Sequence, residues 1–221
     1  MDKNGQKSNY CEFCGDFHDS MHEYSCAVRI GETIPDYEFE AFHAEEIQTM
    51  KFSDFRGKWL VLMFYPADFT FICPTELEEM ANLYPTFQKM ETEVISFSTD
   101  TVFTHKAWHD TSEAIKKINF PMGADPAGKV SSAFGTLIEG GELPFLPDEG
   151  LSLRGTFVID PKGVLRTMEI HDNSVGRSAK ETLRKVQAMQ YVEANPSKVC
   201  PASWEPGDDT LEPGLGLVGK I

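Results

Sequence analysis

A cysteine at residue 73 stands where the sequence pattern changes from a strand to a helix, a position that can produce a reactive thiolate. Residues 59–65 form a short unbroken apolar run, typical of a strand buried on both faces. Pro66 ends this run, and after a loop the apolar residues of 77–84 recur at three- and four-residue spacing, which predicts a helix opening at Cys73-Pro74. Because free N–H groups and the positive end of the helix dipole meet at such a point, Cys73 lies where an anion is favoured.

Ionisation alone does not make a fast thiol enzyme. At pH 7 an ordinary thiol is about 3% ionised, so complete ionisation adds only about 30-fold to the reactive fraction. Donors aimed at the developing charge must supply the rest, and Thr70 is a candidate donor in the loop before Cys73. The alternative is a buried cysteine packed as a small hydrophobic residue. The polar Asp68 and Thr70, with Pro74-Thr-Glu76 directly after the cysteine, favour chemistry over packing.

Strands and helices alternate along the chain around this point. The patterns predict strands at 37–42, 59–65, 94–100, 154–161 and 163–170, a short strand and turn at 120–125, and helices at 73 onward, 104–112, 127–134 and 178–195, with 114–118 either helix or strand. Ser178 and Glu181 form a capping box for the last helix, and Pro161-Lys162-Gly163 turns a hairpin. This alternation predicts an α/β domain.

Composition excludes several classes of protein. The chain has 221 residues and a formal charge of −15, so it lacks the basic surface that binding to nucleic acid or to an anionic membrane requires. We find no 18-residue apolar stretch and no apolar signal segment at the start, which predicts a cytoplasmic protein. Five cysteines, an odd number, do not fit a static disulfide framework, and reactive or metal-bound thiols are favoured.

Residues 1–27 form a separate extension that carries three of the five cysteines. Its Cys and His residues are Cys11, Cys14, His18, His22 and Cys26, the last four at four-residue intervals. Such ligands could hold zinc or iron, and the Cys-x-x-Cys pair could be a redox dithiol. The Asp, Ser, Asn and Gly content favours a third alternative, a polar tail whose thiols have no such role.

The residues around Cys73 resemble a known family. The stretch Pro66-Ala-Asp-Phe-Thr70-Phe-Ile-Cys73-Pro-Thr-Glu76 is similar to the active-site signature of the typical two-cysteine peroxiredoxins, thiol peroxidases of the alkyl hydroperoxide reductase C kind. The resemblance covers roughly residues 28–208. It implies a thioredoxin-like fold, a central mixed sheet flanked by helices, over residues 28–195, and a C-terminal arm over 196–221. It also implies peroxide reduction without a cofactor or metal.

The resemblance assigns roles to residues beside the nucleophile. Arg154 is expected next to the Cys73 thiolate, where it would donate to peroxide oxygens. Thr70 would complete the cage around the peroxide, and Pro66 would cover the thiolate and exclude water. Glu76 is expected to support Arg154 or the loop; its alternative role is a first-turn carboxylate that interacts with the helix dipole.

A second thiol must resolve oxidised Cys73. Thioredoxin-type oxidoreductases have a cysteine three residues after the first, but Glu76 occupies that place. The segment 199–207 resembles the family's resolving segment, in which Pro201, Trp204 and Gly207 match around Cys200. A disordered tail with an incidental cysteine is the alternative.

The implied cycle runs from a Cys73 sulfenic acid to an intersubunit Cys73–Cys200 disulfide, which a thioredoxin-type donor reduces. Hydrogen peroxide and organic hydroperoxides are the expected substrates, and a homodimer, with five dimers in a ring, is the expected assembly. The alternative function is a redox-switched holdase or sensor without significant turnover.

Several further expectations concern residues around this core. Trp108 is predicted to be a core residue, and His105, His109 and His171 are predicted to lie on the surface. The loop 136–153 is longer than its family counterpart by several residues. Residues 108–125 lack the family's Gly-Gly-Leu-Gly loop and 213–221 lack its Tyr-Phe motif, which predicts resistance to sulfinic acid formation; easy sulfinylation of Cys73 in a peroxide titration would contradict it.

Overall fold

Seven strands form one mixed sheet in the computed structural model, which describes residues 27–140 and 148–220. The strands are β1 (Glu38–His43), β2 (Glu46–Lys51), β3 (Trp59–Phe64), β4 (Thr92–Ser98), β5 (Met122–Ala124), β6 (Arg154–Ile159) and β7 (Leu165–His171). Their order across the sheet is β2-β1-β5-β4-β3-β6-β7. Strands β3, β4 and β5 run parallel to one another, and the outer pairs are antiparallel.

Four α-helices accompany the sheet. They are α1 (Cys73–Lys89), α2 (Val102–Thr111), α3 (Lys129–Ala133) and α4 (Ala179–Ala194), and short 3₁₀ turns lie at Phe52–Phe55, Ile115–Lys117 and Leu215–Leu217. Helices α1 and α4 pack together on one face of the sheet, where Val61, Leu77 and Val186 belong to one buried cluster. The other face carries α3 and a set of phenylalanine rings in edge and stacked contacts, including Phe64, Phe97, Phe134 and Phe157.

Strand β3 is the centre of this core. All six of its residues are buried, and alternate side chains enter the clusters on opposite faces, as the unbroken apolar run predicts. Each such side chain contributes about 1.5–3 kcal/mol when it leaves water. Since β3 runs into the loop before Cys73, a completely buried strand fixes the start of that loop.

The structure agrees with most of the predicted elements. The hairpin turn at Gly163 has a positive φ of 82°, and Ser178 caps α4 by accepting a hydrogen bond from the N–H of Glu181. Helix α1 begins at Cys73 itself, and Pro74 is its second residue, still within the turn where N–H groups lack partners.

Three predictions of secondary structure were incomplete or wrong. Strand β2 was not predicted, because it is a mostly exposed edge strand with no apolar alternation to reveal it. Helix α3 spans five residues rather than eight, since Gly128 before it has a left-handed backbone with φ of 65°. The ambiguous 114–118 segment contains a 3₁₀ turn. In the part of the chain that the structure describes, we find no helix long and apolar enough to span a membrane.

Candidate active site

Cys73 is the first residue of α1 and is completely buried. Its N-cap, Ile72, has helical backbone angles and no side-chain cap, and the Ile72 carbonyl accepts from the N–H groups of Thr75 and Glu76. The thiol therefore lies at the positive end of a 17-residue helix, directly beyond the carboxyl end of β3.

Arg154 contacts the thiol, as the sequence predicts. Strand β6 begins at this residue and pairs antiparallel with β3, which brings the guanidinium beside the start of α1. Its Nη1 lies 3.4 Å from Cys73 Sγ and also donates to Glu76 Oε2 at 2.7 Å, while its Nε donates to the Asn173 carbonyl at 2.9 Å. The side chain is only 4% exposed, so its charge is poorly screened by water.

Glu76 supports Arg154, one of the two roles considered for it. The carboxylate is 2% exposed and accepts hydrogen bonds from Arg154 and from a second buried arginine, Arg177. Burial by itself would raise the pKa of Glu76, but the hydrogen bonds and charge of Arg177, with a smaller effect from Arg154, outweigh burial and lower it. Glu76 is therefore an anion that fixes both guanidinium groups.

Arg177 is a residue that the sequence analysis missed. It lies between β7 and the Ser178 cap of α4, where the pattern indicates only a loop. Its N–H and Nε donate to Glu76 Oε1 at 2.7 and 3.0 Å, and its Nη1 donates to the Gly155 carbonyl at 2.7 Å. Within this buried cluster two guanidiniums face one carboxylate, so the groups nearest to Cys73 Sγ carry a net positive charge, which suits an anion there.

Thr70 lies in the loop before the cysteine but bonds differently from the prediction. Its hydroxyl donates to the Ala67 carbonyl at 2.8 Å. A hydroxyl has one hydrogen to donate, so the Thr70 oxygen remains as an acceptor in this arrangement and not as the predicted donor. Pro66 is buried at the end of β3, and its role as a cover for the thiolate stays a prediction.

His105 was predicted to lie on the surface, and this prediction was wrong. Its side chain is fully buried, with Nε2 3.1 Å from the Gly123 carbonyl and Nδ1 2.8 Å from Asp68 Oδ2. Because a carbonyl only accepts, Nε2 carries a hydrogen, and one further proton lies between Nδ1 and Asp68. Sequence spacing gives no sign that Asp68, 37 residues away, is its partner. His109 and His171 lie at the surface as predicted, partly buried, with 15% and 32% of their side chains exposed.

The Asp68 carboxylate is the centre of this buried network. It accepts from the Tyr65 hydroxyl at 2.7 Å, and the Asp68 N–H donates to Asp100 at 2.8 Å. Burial raises the pKa of Asp68 despite the opposing effect of His105. Trp108 is buried against the Tyr65 and Phe69 rings, which confirms its prediction as a core residue. The network thus anchors the loop that carries Thr70 to the core.

Cys200 lies after α4 and is not bonded to Cys73 within the chain; both thiols are free. Its Sγ is 3.8 Å from the Ala188 carbonyl on α4, and partial burial raises the pKa of the thiol against a smaller lowering effect of Arg184. Trp204 fastens this arm: its ring packs on Tyr191 with centroids 5.0 Å apart, and its carbonyl accepts from Arg184 at 3.0 Å. The cysteines and histidines of residues 1–26 lie outside the described residues, as does part of the 136–153 loop.

Comparison with known proteins gives concordant matches. Residues 30–168 match the AhpC/TSA family, and residues 188–214 match the C-terminal domain of 1-Cys peroxiredoxin. Alkyl hydroperoxide reductase C of Pseudomonas aeruginosa is 48% identical over 192 residues, and that of Bacillus subtilis is 47% identical over 192; each alignment covers 87% of this chain and 98% of the relative.

Two solved structures are similar throughout the described domain. Enterococcus faecalis AhpC gives a TM-score of 0.72 at 41% identity, covering 78% of this chain and 98% of that one. The reduced 2-Cys peroxiredoxin of Plasmodium vivax gives 0.77 at 29% identity, covering 84% and 93%. Together with the seven-stranded mixed sheet, these likenesses confirm the predicted thioredoxin-like α/β fold.

Proposed function

This chain belongs to the AhpC/TSA family of peroxiredoxins and is a thiol peroxidase, and we propose that Cys73 is its peroxidatic cysteine. The observation that carries the proposal is the 3.4 Å contact between Cys73 Sγ and the buried guanidinium of Arg154. A fixed cation beside a sulfur at a helix N-terminus is the environment in which a thiolate is formed and used as a nucleophile.

In the first step the Cys73 thiolate attacks the terminal oxygen of hydrogen peroxide or an organic hydroperoxide. An S–O bond forms as the O–O bond breaks, so sulfur is oxidised to the sulfenic acid. The departing oxygen takes a proton and leaves as water or an alcohol. Arg154 donates to the peroxide oxygens as negative charge moves toward the leaving group. It needs no reorganisation because Glu76, itself fixed by Arg177, already holds it.

Thr70 orients the peroxide in this proposal. With its hydrogen bonded to the Ala67 carbonyl, the Thr70 oxygen can accept the O–H of a hydroperoxide. With Arg154 as donor and the Thr70 oxygen as acceptor, the O–O bond would be aligned with Cys73 Sγ. Such alignment is a major source of rate acceleration. Pro66, buried at the entrance of the loop, would exclude water from the thiolate.

In the second step Cys200 of a partner subunit condenses with the sulfenic acid. The Cys200 sulfur attacks Cys73 Sγ, the disulfide forms and the hydroxyl leaves as water. Support for a homodimer comes from β7, an edge strand with Met168 and Ile170 exposed at 42% and 39%, whose open edge can pair with its own copy.

We extend the proposal to a ring of five dimers. Three phenylalanine side chains are largely exposed, Phe69 at 57% and Phe71 at 93% in the loop before Cys73, and Phe103 at 71% on α2. Exposed apolar side chains of this size favour a protein–protein contact. Burial of Phe69 and Phe71 between dimers would also hold the loop that carries Thr70.

A thioredoxin-type donor in the cytoplasm would complete the cycle. The residue three positions after Cys73 is Glu76, so no neighbouring thiol at that position can reduce the Cys73–Cys200 disulfide. Exchange with the dithiol of another protein would reduce it. The alternative of a holdase or sensor without turnover is not favoured, since the similar proteins are named as reductases and peroxiredoxins.

A non-reducing gel after one equivalent of peroxide tests the proposal. We expect the wild type to form a covalent dimer, and Cys73→Ser and Cys200→Ser each to form none. A variant with Ser at positions 11, 14 and 26 is the matched control and should dimerise like the wild type. With a thioredoxin system present, the wild type should consume many equivalents of peroxide. A dimer in Cys73→Ser, or a halt after one equivalent, would refute the cycle.

A further inference from the structure

Asn173, in the loop after β7, contacts Arg154, the first residue of β6, and Asp148, which lies six residues before Arg154. Its main-chain carbonyl accepts from Arg154 Nε at 2.9 Å, and its side-chain Nδ2 donates to Asp148 Oδ2 at 3.3 Å. We propose that Asn173 is a positioning residue for peroxide reduction, which holds Arg154 in place through a brace to Asp148. The inference rests on the role proposed above for Arg154.

Arg154 needs a fixed acceptor on its Nε side. Its Nη1 serves both Cys73 Sγ and Glu76, so those contacts hold one edge of the planar guanidinium. The Asn173 carbonyl holds Nε and thereby sets the rotation of the plane. A shift of that carbonyl would turn Nη1 away from Sγ without breaking the ion pair between Glu76 and Arg177.

The loop that carries this carbonyl has little support of its own. Asp172, Ser174 and Val175 are exposed, and the N–H groups of Ser174 and Val175 and the Ser174 hydroxyl donate to Asp172. The Val175 carbonyl lies 3.3 Å from Nδ1 of His171, the last residue of β7. Within residues 27–140 and 148–220, the Asn173 Oδ1 atom is buried with no hydrogen-bond donor. The bond from Nδ2 to Asp148 therefore ties the Asn173 side chain to the segment before β6, and it also fixes which way the amide faces.

Asp148 gives the brace a stable end. Its carbonyl accepts from the Leu151 N–H at 2.9 Å, and the next residues pair with 136–138: the Gly150 N–H donates to Ile138 at 2.9 Å and the Leu153 N–H to Thr136 at 2.6 Å. Six residues along the chain from Asp148, Arg154 begins β6. Asn173 thus ties Arg154 to the chain segment that precedes it.

The brace should affect peroxide chemistry more than simple thiol reactivity. Peroxide reduction uses Arg154 as an oriented donor to the leaving oxygen, whereas alkylation of Cys73 by iodoacetamide has no such oxygen. A general loosening of the site would change both rates together. The ratio of the two rates therefore distinguishes positioning from a structural role.

The test uses Asn173→Asp, Asp148→Ala and the swap Asp148→Asn/Asn173→Asp in the full-length chain. Asn173→Asp places two carboxylates together and Asp148→Ala removes the acceptor, and we expect each to slow the reaction with hydrogen peroxide about two- to tenfold, the range for one hydrogen bond. The swap recreates an amide–carboxylate pair with the same net charge and should return the rate close to wild type. Alkylation rates should change far less, and Ser174→Ala, in the same loop, should match wild type.

Three outcomes would overturn the inference. If both single variants react with peroxide at the wild-type rate while Arg154→Met is slow, the brace is unimportant and the proposed function stands. If Arg154→Met is also fast, the role of Arg154 itself fails. If both single variants slow peroxide reduction and alkylation equally, and the swap restores neither, Asn173 is only structural. Asp148→Ala keeps the test available should Asn173→Asp fold poorly.

Discussion

The two cysteines of the proposed cycle lie in opposite kinds of environment. Cys73 is fully buried beside Arg154, and that arginine belongs to a buried network of charges. Cys200 is half-exposed on an arm, residues 196–220, in which Trp204 is the one buried residue. A disulfide needs the two sulfurs about 2.05 Å apart, so one or both regions must open. The arm buries few side chains, and we expect it to detach from α4 before any strand of the sheet opens.

The difference separates two requirements of the reaction. In the proposed cycle, attack on peroxide requires a fixed electrostatic environment, and the dense network around Cys73 suits it. Condensation with the sulfenic acid requires a thiol that can move, and the sparsely buried arm around Cys200 suits that step. Substitutions in the first region should therefore affect the peroxide step, and substitutions in the second should affect the resolving step.

Replacement of Arg154 by Met should have the largest effect. Met preserves the buried stem but removes the charge and the donors, and loss of such a donor costs about 10²–10³-fold in rate. Stopped-flow measurement of the second-order rate constant with hydrogen peroxide checks this. Lys106→Met, which removes an exposed cation on α2 paired with Asp110, is the control and should react at the wild-type rate.

Replacement of Glu76 by Gln should weaken the network and change its dependence on pH. Removal of one partner of a buried ion pair costs about 3 kcal/mol or more in unfolding free energy. Because the pKa of Glu76 in the folded protein is below its ordinary value of 4.5, its contribution is complete above that pH and is lost as the pH falls further.

Denaturant unfolding at several pH values measures this contribution. The unfolding free energy of wild type should fall more steeply below about pH 4.5 than that of Glu76→Gln, by up to about 1.4 kcal/mol per pH unit for one proton. Parallel curves for the two proteins would show that Glu76 is not held ionised by its arginines.

Replacement of Trp204 by Ala should have the smallest effect on the peroxide step and a clear effect on the arm. The substitution removes the packing on Tyr191, so amide hydrogen exchange in the arm should become faster while the peroxide rate stays within about twofold of wild type. Amide hydrogen exchange followed by mass spectrometry measures the first effect, and stopped-flow kinetics with hydrogen peroxide measure the second. A large loss in the peroxide rate would mean that the two regions are not independent.

The sequence could reveal the proposed nucleophile because it leaves a local signal, and it could reveal the neighbouring arginine only through the family resemblance. Cys73 follows an apolar strand and opens a helical pattern, and the signature from Pro66 to Glu76 brings a resemblance that places Arg154. The α/β class was predictable from local patterns, since a strand buried on both faces gives an unbroken apolar run and a long helix gives a clear periodicity. The resemblance added the thioredoxin-like fold.

Residues whose role depends on contacts between distant segments could not be found in this way. Arg177 meets Glu76 across 101 positions, and His105 meets Asp68 across 37, so no spacing connects either pair. Thr70 lies in the predicted loop before Cys73, but the direction of its hydrogen bond depends on the fold of that loop. Strand β2 has little apolar surface to bury, and only its pairing with β1 defines it.

Trapping of the first intermediate tests the central claim most directly. Cys200→Ser, which cannot resolve, would be treated with one equivalent of hydrogen peroxide and a sulfenic-acid reagent such as dimedone, and the adducts mapped by mass spectrometry. We predict a single adduct at Cys73, lost in Cys73→Ser/Cys200→Ser and formed about 10²–10³-fold more slowly with Arg154→Met. A principal adduct at Cys11, Cys14 or Cys26, or an equal rate without Arg154, would contradict the account.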